Sequence, residues 1–150
     1  MKTTKITCII LSMVLFIACG EDEEKPASIV GKWKGTLADV RVKPFGLPTP
    51  VTRQDDTFAA EIEFKSDGTV ILLQNGQPVE GSYEVSGETL ITSLAFKTDI
   101  LDITGTYTIE ELTATKLVIF LEREGETLTD PDSGLTVTGD IKATLHFDRL

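Results

Sequence analysis

The chain has 150 residues and carries 14 Lys and Arg against 24 Asp and Glu, a formal charge of −10. A chain so acidic is a poor partner for nucleic acid or an anionic membrane face. Its length bounds it to one domain with room for a real core.

Met1 to Ala18 reads as a secretory signal peptide. Lys2 and Lys5 form a short positive region, and Ile6 to Ile17 is almost wholly apolar. A dozen residues cannot cross a hydrocarbon core that takes about 20 as a helix. The segment Phe16-Ile17-Ala18-Cys19-Gly20 resembles the lipobox of bacterial lipoproteins. That resemblance implies cleavage before Cys19 and acylation of its thiol, with Leu15 one place further from the Cys than the commonest pattern. Each buried methylene contributes about 0.8 kcal/mol, so several acyl chains give stable anchoring without a membrane-spanning helix. Cleavage leaves 132 residues and, with Lys2 and Lys5 gone, a charge of −12. Cys8 leaves with the signal, so no mature cysteine is free to form a disulfide. Residues 19–28 are expected to be the lipidated Cys and a solvated acidic tether, Gly20-Glu21-Asp22-Glu23-Glu24. The acidic run resembles the export tag of surface-displayed Gram-negative lipoproteins, which implies an outer-membrane anchor and possible surface exposure. A flexible linker reads equally well.

From Ile29 to Leu150 the pattern is strands separated by turn chemistry, with no sustained helical period. The first strand is expected at Val30–Val42, bent near Gly35. Lys43-Pro44-Phe45-Gly46-Leu47-Pro48-Thr49-Pro50 follows as a loop, since three prolines oppose ladder pairing. Phe58, Ala60, Ile62 and Phe64 alternate with polar residues in the next strand. Ser66-Asp67-Gly68 turns into Thr69–Gln74, and Asn75-Gly76 is a strong hairpin signal. Strands are then expected at Gly81–Val85, Thr89–Phe96, Thr104–Ile109 and Lys116–Arg123. A long polar loop spans Glu124–Thr138, and Asp140–Phe147 closes the set. Eight antiparallel strands predict a meandering barrel that is either filled or holds one small ligand. A two-sheet β-sandwich is the alternative.

Gly31-Lys32-Trp33 heads the first strand. With the Lys65–Thr69 hairpin and Gly81-Ser82-Tyr83, it resembles the lipocalin-like domains of bacterial lipoproteins. The resemblance implies that Trp33 closes the barrel floor, Gly31 beside it. It also implies a basic residue after the last strand that covers the indole. Arg149 matches that place, with Arg123 as the fallback. Two departures stand out. The second lipocalin block is reduced to Gly105-Thr106-Tyr107 without its Asp, and no helix is expected after the last strand. Trp33 reads equally well as an ordinary core aromatic.

Catalytic chemistry is not expected. His146, the sole histidine, alternates outward and cannot by itself build a triad or a zinc site. Glu61 and Glu63 share a strand face at a spacing that could suit paired carboxylates, but that face is the solvent side. Asp130-Pro131-Asp132-Ser133-Gly134 has alternate carboxylates but lacks the distal Glu of a calcium loop. No cofactor and no metal are expected. Two functions from different classes remain open. One is a binder of a small, partly apolar ligand, entered past the open-end loops (Lys43–Asp56), with Phe45 and Leu47 as lid candidates. The other is a packed interaction module of the cell envelope that contacts another protein.

Overall fold

A computed structural model describes residues 27–74, 76–98, 102–129 and 136–150. The signal segment, Cys19, the acidic run, Asn75 and the 130–134 loop lie outside the described residues.

Nine strands run in chain order: β1 (Gly31–Pro44), β2 (Val51–Asp55), β3 (Glu61–Phe64), β4 (Thr69–Gln74), β5 (Gln77–Ser86), β6 (Thr89–Lys97), β7 (Asp102–Leu112), β8 (Lys116–Thr129) and β9 (Thr136–Arg149). Consecutive strands from β3 to β9 pair antiparallel, and β1 then pairs with β9, which closes the sheet. The result is an eight-stranded, all-β, lipocalin-like barrel with one extra strand. Closure removes most exposed edges of a long sheet.

The extra strand is β2, which falls where the sequence reads as loop. Both of its flanking prolines, Pro48 and Pro50, lie outside it, so they do not interrupt its ladder. It pairs with the upper half of β1 (Val42↔Val51 to Ala38↔Asp55), while β3 pairs with the lower half (Gly31↔Phe64 to Lys34↔Glu61). Between them Phe58 packs inward, and Gly35 donates its N–H to the Ala60 carbonyl at 2.7 Å. An added Cβ at Gly35 would lie 2.5 Å from the Phe58 ring, so only glycine fits this bend. A register shift on the β9 side falls between Gly35 and Leu37.

A second difference concerns the long polar loop. Most of Glu124–Thr138 is strand, because β8 and β9 continue pairing from Glu126↔Gly139 to Thr129↔Thr136. Threonines there signal loop by composition, yet Thr127, Thr136 and Thr138 are exposed, and exposed positions of a paired strand tolerate them.

Alternation fixes the interior. In β6, Leu90, Thr92, Leu94 and Phe96 are buried while Ile91, Ser93 and Lys97 are exposed. In β9, Ile141, Ala143, Leu145 and Phe147 are buried. Aromatic rings then meet across the lumen, two pairs edge to face and one tilted at 58°. Phe58 meets Phe147 at 5.6 Å, Phe147 meets Phe96 at 5.7 Å, and Phe96 meets Tyr107 at 5.7 Å between centroids. These residues come from the β2–β3 connection, β9, β6 and β7, so the rings span the interior rather than line one wall. Such pairs add about 0.5–1.5 kcal/mol each beyond area burial.

Candidate functional site

Strand directions define two ends. The floor holds the start of β1, the turns after β3, β5 and β7, and the end of β9. The rim holds the β1–β2 loop.

At the floor, Trp33 is fully buried and its indole N–H donates to the Ile29 carbonyl at 2.7 Å. The Arg149 guanidinium carbon lies 4.5 Å from the Trp33 ring centroid, a cation–π contact. Arg149 also donates through Nη2 to the carbonyls of Ser28 (2.6 Å) and Val30 (3.2 Å). Register places Trp33 directly opposite Arg149. Gly31 has φ +141°, a conformation that favours glycine, and a Cβ there would sit 3.4 Å from the Arg149 Cζ, in ordinary contact with the guanidinium. Together these contacts strap residues 28–30 across the barrel end. Arg123 instead lies against Gly105 on β7 and pairs with Glu126 at 3.6 Å.

At the rim, Phe45 and Leu47 are 60% and 57% exposed. The loop that carries them is ordered by two hydrogen bonds, Phe45 N–H to the Thr138 carbonyl (2.9 Å) and Leu47 N–H to the Pro44 carbonyl (3.3 Å). Val51, which opens β2, adds a third large exposed apolar residue at 50%. The sequence pattern did not single it out, because an isolated Val between prolines and Thr52 carries no periodic signal.

The clefts of the described surface include two that are lined by none of the rings Phe58, Phe96, Tyr107 and Phe147. One, of about 470 Å³, sits at the floor and is lined by Ala27, Ser28, Ile29, Val85, Gly87, Glu88, Ile109, Glu110 and Leu112. The other, of about 140 Å³, is an outer groove that includes Glu61, Glu63, Ile71, Leu73 and Leu150. Glu61 and Glu63 are half-buried there, and Glu63 meets Lys32 at 3.9 Å. His146 is half-buried on β9. Among the described residues no three His, Cys, Asp or Glu side chains come together in a way that could hold a metal ion.

Among the described residues three titratable groups are shifted, each with a structural cause. Hydrogen bonds from Thr69, backbone first and hydroxyl second, hold the Asp67 carboxyl below its usual range, with Lys65 helping. Burial raises the Tyr83 phenol, and Asp67 adds to that. Burial raises the Tyr107 phenol much further, against a small opposing effect of Arg123. The Tyr107 hydroxyl donates to the Ile103 carbonyl at 2.8 Å, and that of Tyr83 to the Lys65 carbonyl at 2.6 Å. Both phenols serve as structural donors, Tyr107 buried and Tyr83 half-buried. Asp55, buried between strand and turn, accepts from the Thr57 N–H (3.0 Å) and hydroxyl (2.6 Å).

No family model, no curated protein and no solved structure matches the chain.

Proposed function

We propose that this protein is a lipid-anchored envelope protein whose barrel is a packed interaction module. The observation that carries the reading is the chain of rings Phe58–Phe147–Phe96–Tyr107 through the lumen. A barrel that carries a small apolar molecule needs interior volume on the order of 300 Å³ or more. Here the space between β6, β7 and β9 is occupied by side chains. Binding then falls to outer surfaces, and the Phe45–Leu47–Val51 cluster is the most exposed apolar stretch of the β1–β2 region. Its position supports the reading further. The described chain enters the barrel at the floor, so a tether from Cys19 would join that end. The rim loop is at the opposite end, clear of the attachment, where an envelope protein can meet it.

A small-ligand reading keeps one observation on its side, the 470 Å³ floor cleft, which lies outside the barrel interior. The test is a photo-crosslinking amino acid placed at Phe45, and separately at the exposed wall residue Ile91, in the native host. The module reading expects one stoichiometric protein adduct from position 45 and none from position 91. Equal labelling from both, or none from either, would count against it.

A further inference from the structure

We infer that the floor cleft is a binding site for a small organic cation with an apolar body. The cleft is half-open, and its volume of about 470 Å³ is within the range that binds small molecules. Its apolar walls come from three separate parts of the chain: Ile29 before β1, Val85 near the end of β5, and Ile109 with Leu112 on β7. Ile29 and Ile109 are buried, while Val85 keeps 38% of its surface exposed to the cleft or solvent. An apolar body placed there removes that surface from water, which favours binding.

The polar side chains give the site its sign. Glu88 and Glu110 are its charged residues, and no cationic side chain is among the described residues that line it. The Ile109 N–H donates to the Glu88 carbonyl at 2.6 Å, which ties the β5–β6 turn to β7 one residue from Glu110. The backbones of both acidic residues are thereby held at one cleft, and both residues are exposed there. Two acidic groups beside an apolar wall complement an ammonium or guanidinium head on a compact hydrocarbon body. An anionic or purely apolar molecule finds no such match.

The site is also pre-formed. Its N-terminal wall, Ala27 to Ile29, does not depend on a ligand for its place. Arg149 holds the Ser28 carbonyl and Trp33 holds the Ile29 carbonyl. Rigid walls lower the ordering cost of binding. This inference is independent of any partner at the rim.

The test is an NMR titration of the mature chain, acidic tether included, with cyclohexylmethylammonium. The neutral cyclohexylmethanol, of nearly the same shape, is the comparison. The site predicts saturable shifts at the methyls of Ile29, Val85, Ile109 and Leu112, with the alcohol about tenfold weaker or more. Glu88→Gln/Glu110→Gln should weaken the cation about tenfold and leave the alcohol unchanged. Glu80→Gln/Glu84→Gln makes the same charge change elsewhere on β5 and should leave both unchanged. Equal binding of alcohol and amine would overturn the inference. So would a cation whose shifts never saturate, that moves residues outside the cleft only, or that is indifferent to the Glu88/Glu110 change. All four carboxylates are on exposed residues, and the emission of the sole tryptophan, Trp33, reports that each variant is folded.

Discussion

Replacement of Phe147 by Ala tests the filled interior directly. Phe147 is 2% exposed on β9 and meets two other rings, Phe58 at 5.6 Å and 74° and Phe96 at 5.7 Å and 58°. Removing a buried phenyl from a tight core costs about 3–5 kcal/mol, as lost transfer energy plus a cavity that relaxes only in part. Two ring contacts vanish with it, so the upper part of that range is expected. For a barrel of this length the melting temperature should fall by roughly 12–20 °C, at about 4 °C per kcal/mol. Urea unfolding of wild type and variant gives the free energy, and an unchanged m-value would show that the same surface unfolds. Phe96→Ala and the double variant complete a cycle, which should return a coupling of about 0.5–1.5 kcal/mol between the two rings. In a hollow, hydrated barrel the same truncations would leave no new void. A loss below about 1.5 kcal/mol for Phe147→Ala, with no coupling to Phe96, would refute the packing argument.

Further outcomes follow from the same geometry. Arg149→Ala should cost about 1–2 kcal/mol through the cation–π contact and the two carbonyl bonds, and Arg149→Lys should restore only part, because an ammonium lacks the planar fork; thermal unfolding and hydrogen exchange at residues 28–30 check both. Gly31→Ala should destabilise by roughly 1–3 kcal/mol through its positive φ, since the added methyl group itself meets Arg149 at ordinary contact distance. Leu47→Ser/Val51→Ser should leave the melting point within about 4 °C, since exposed positions contribute within about ±0.5 kcal/mol each, while abolishing the adduct of a crosslinker kept at position 45. The Tyr107 phenol is raised in the folded state by burial, so the stability it confers is complete below the ordinary phenol range near 10. As pH climbs past that range the unfolded chain releases the proton and the barrel does not, so stability falls. Tyr107→Phe should flatten the alkaline limb of a stability–pH curve, at a cost near 1 kcal/mol at neutral pH for the lost hydrogen bond to Ile103.

How much of this was legible beforehand differs by region. The period-two alternation of Ile141, Ala143, Leu145 and Phe147 gives β9 its inward face, because one side of the strand meets the core and the other meets water. The same rule places Ile62 and Phe64 inside and Glu61 and Glu63 outside. Gly31-x-Trp33 and Arg149 are separated by more than a hundred residues, and only the familiar pattern of the floor motif links them; the ladder that sets them opposite each other is a property of the closed sheet. β2 was hidden because its residues are polar or lie next to proline, and its pairing depends on the upper half of β1 rather than on a buried face of its own. The β8–β9 ribbon was hidden for a like reason, since Thr127, Thr136 and Thr138 pair while exposed and carry no hydrophobic period. The floor cleft could not be read at all. Ile29, Val85 and Ile109 meet only because the N-terminal strap is pinned across the barrel end, and strand patterning carries no information about that strap.

The most direct test of the central claim is native mass spectrometry of the lipidated chain released gently from the membranes of its own host. The account predicts an acylated Cys19, a barrel without a small molecule locked inside, and a stoichiometric protein partner that is lost with Phe45→Ser/Leu47→Ser. A reproducible small-molecule mass that is released only on denaturation, and that survives Glu88→Gln/Glu110→Gln, would contradict it and return the lumen to the role of a binding cavity.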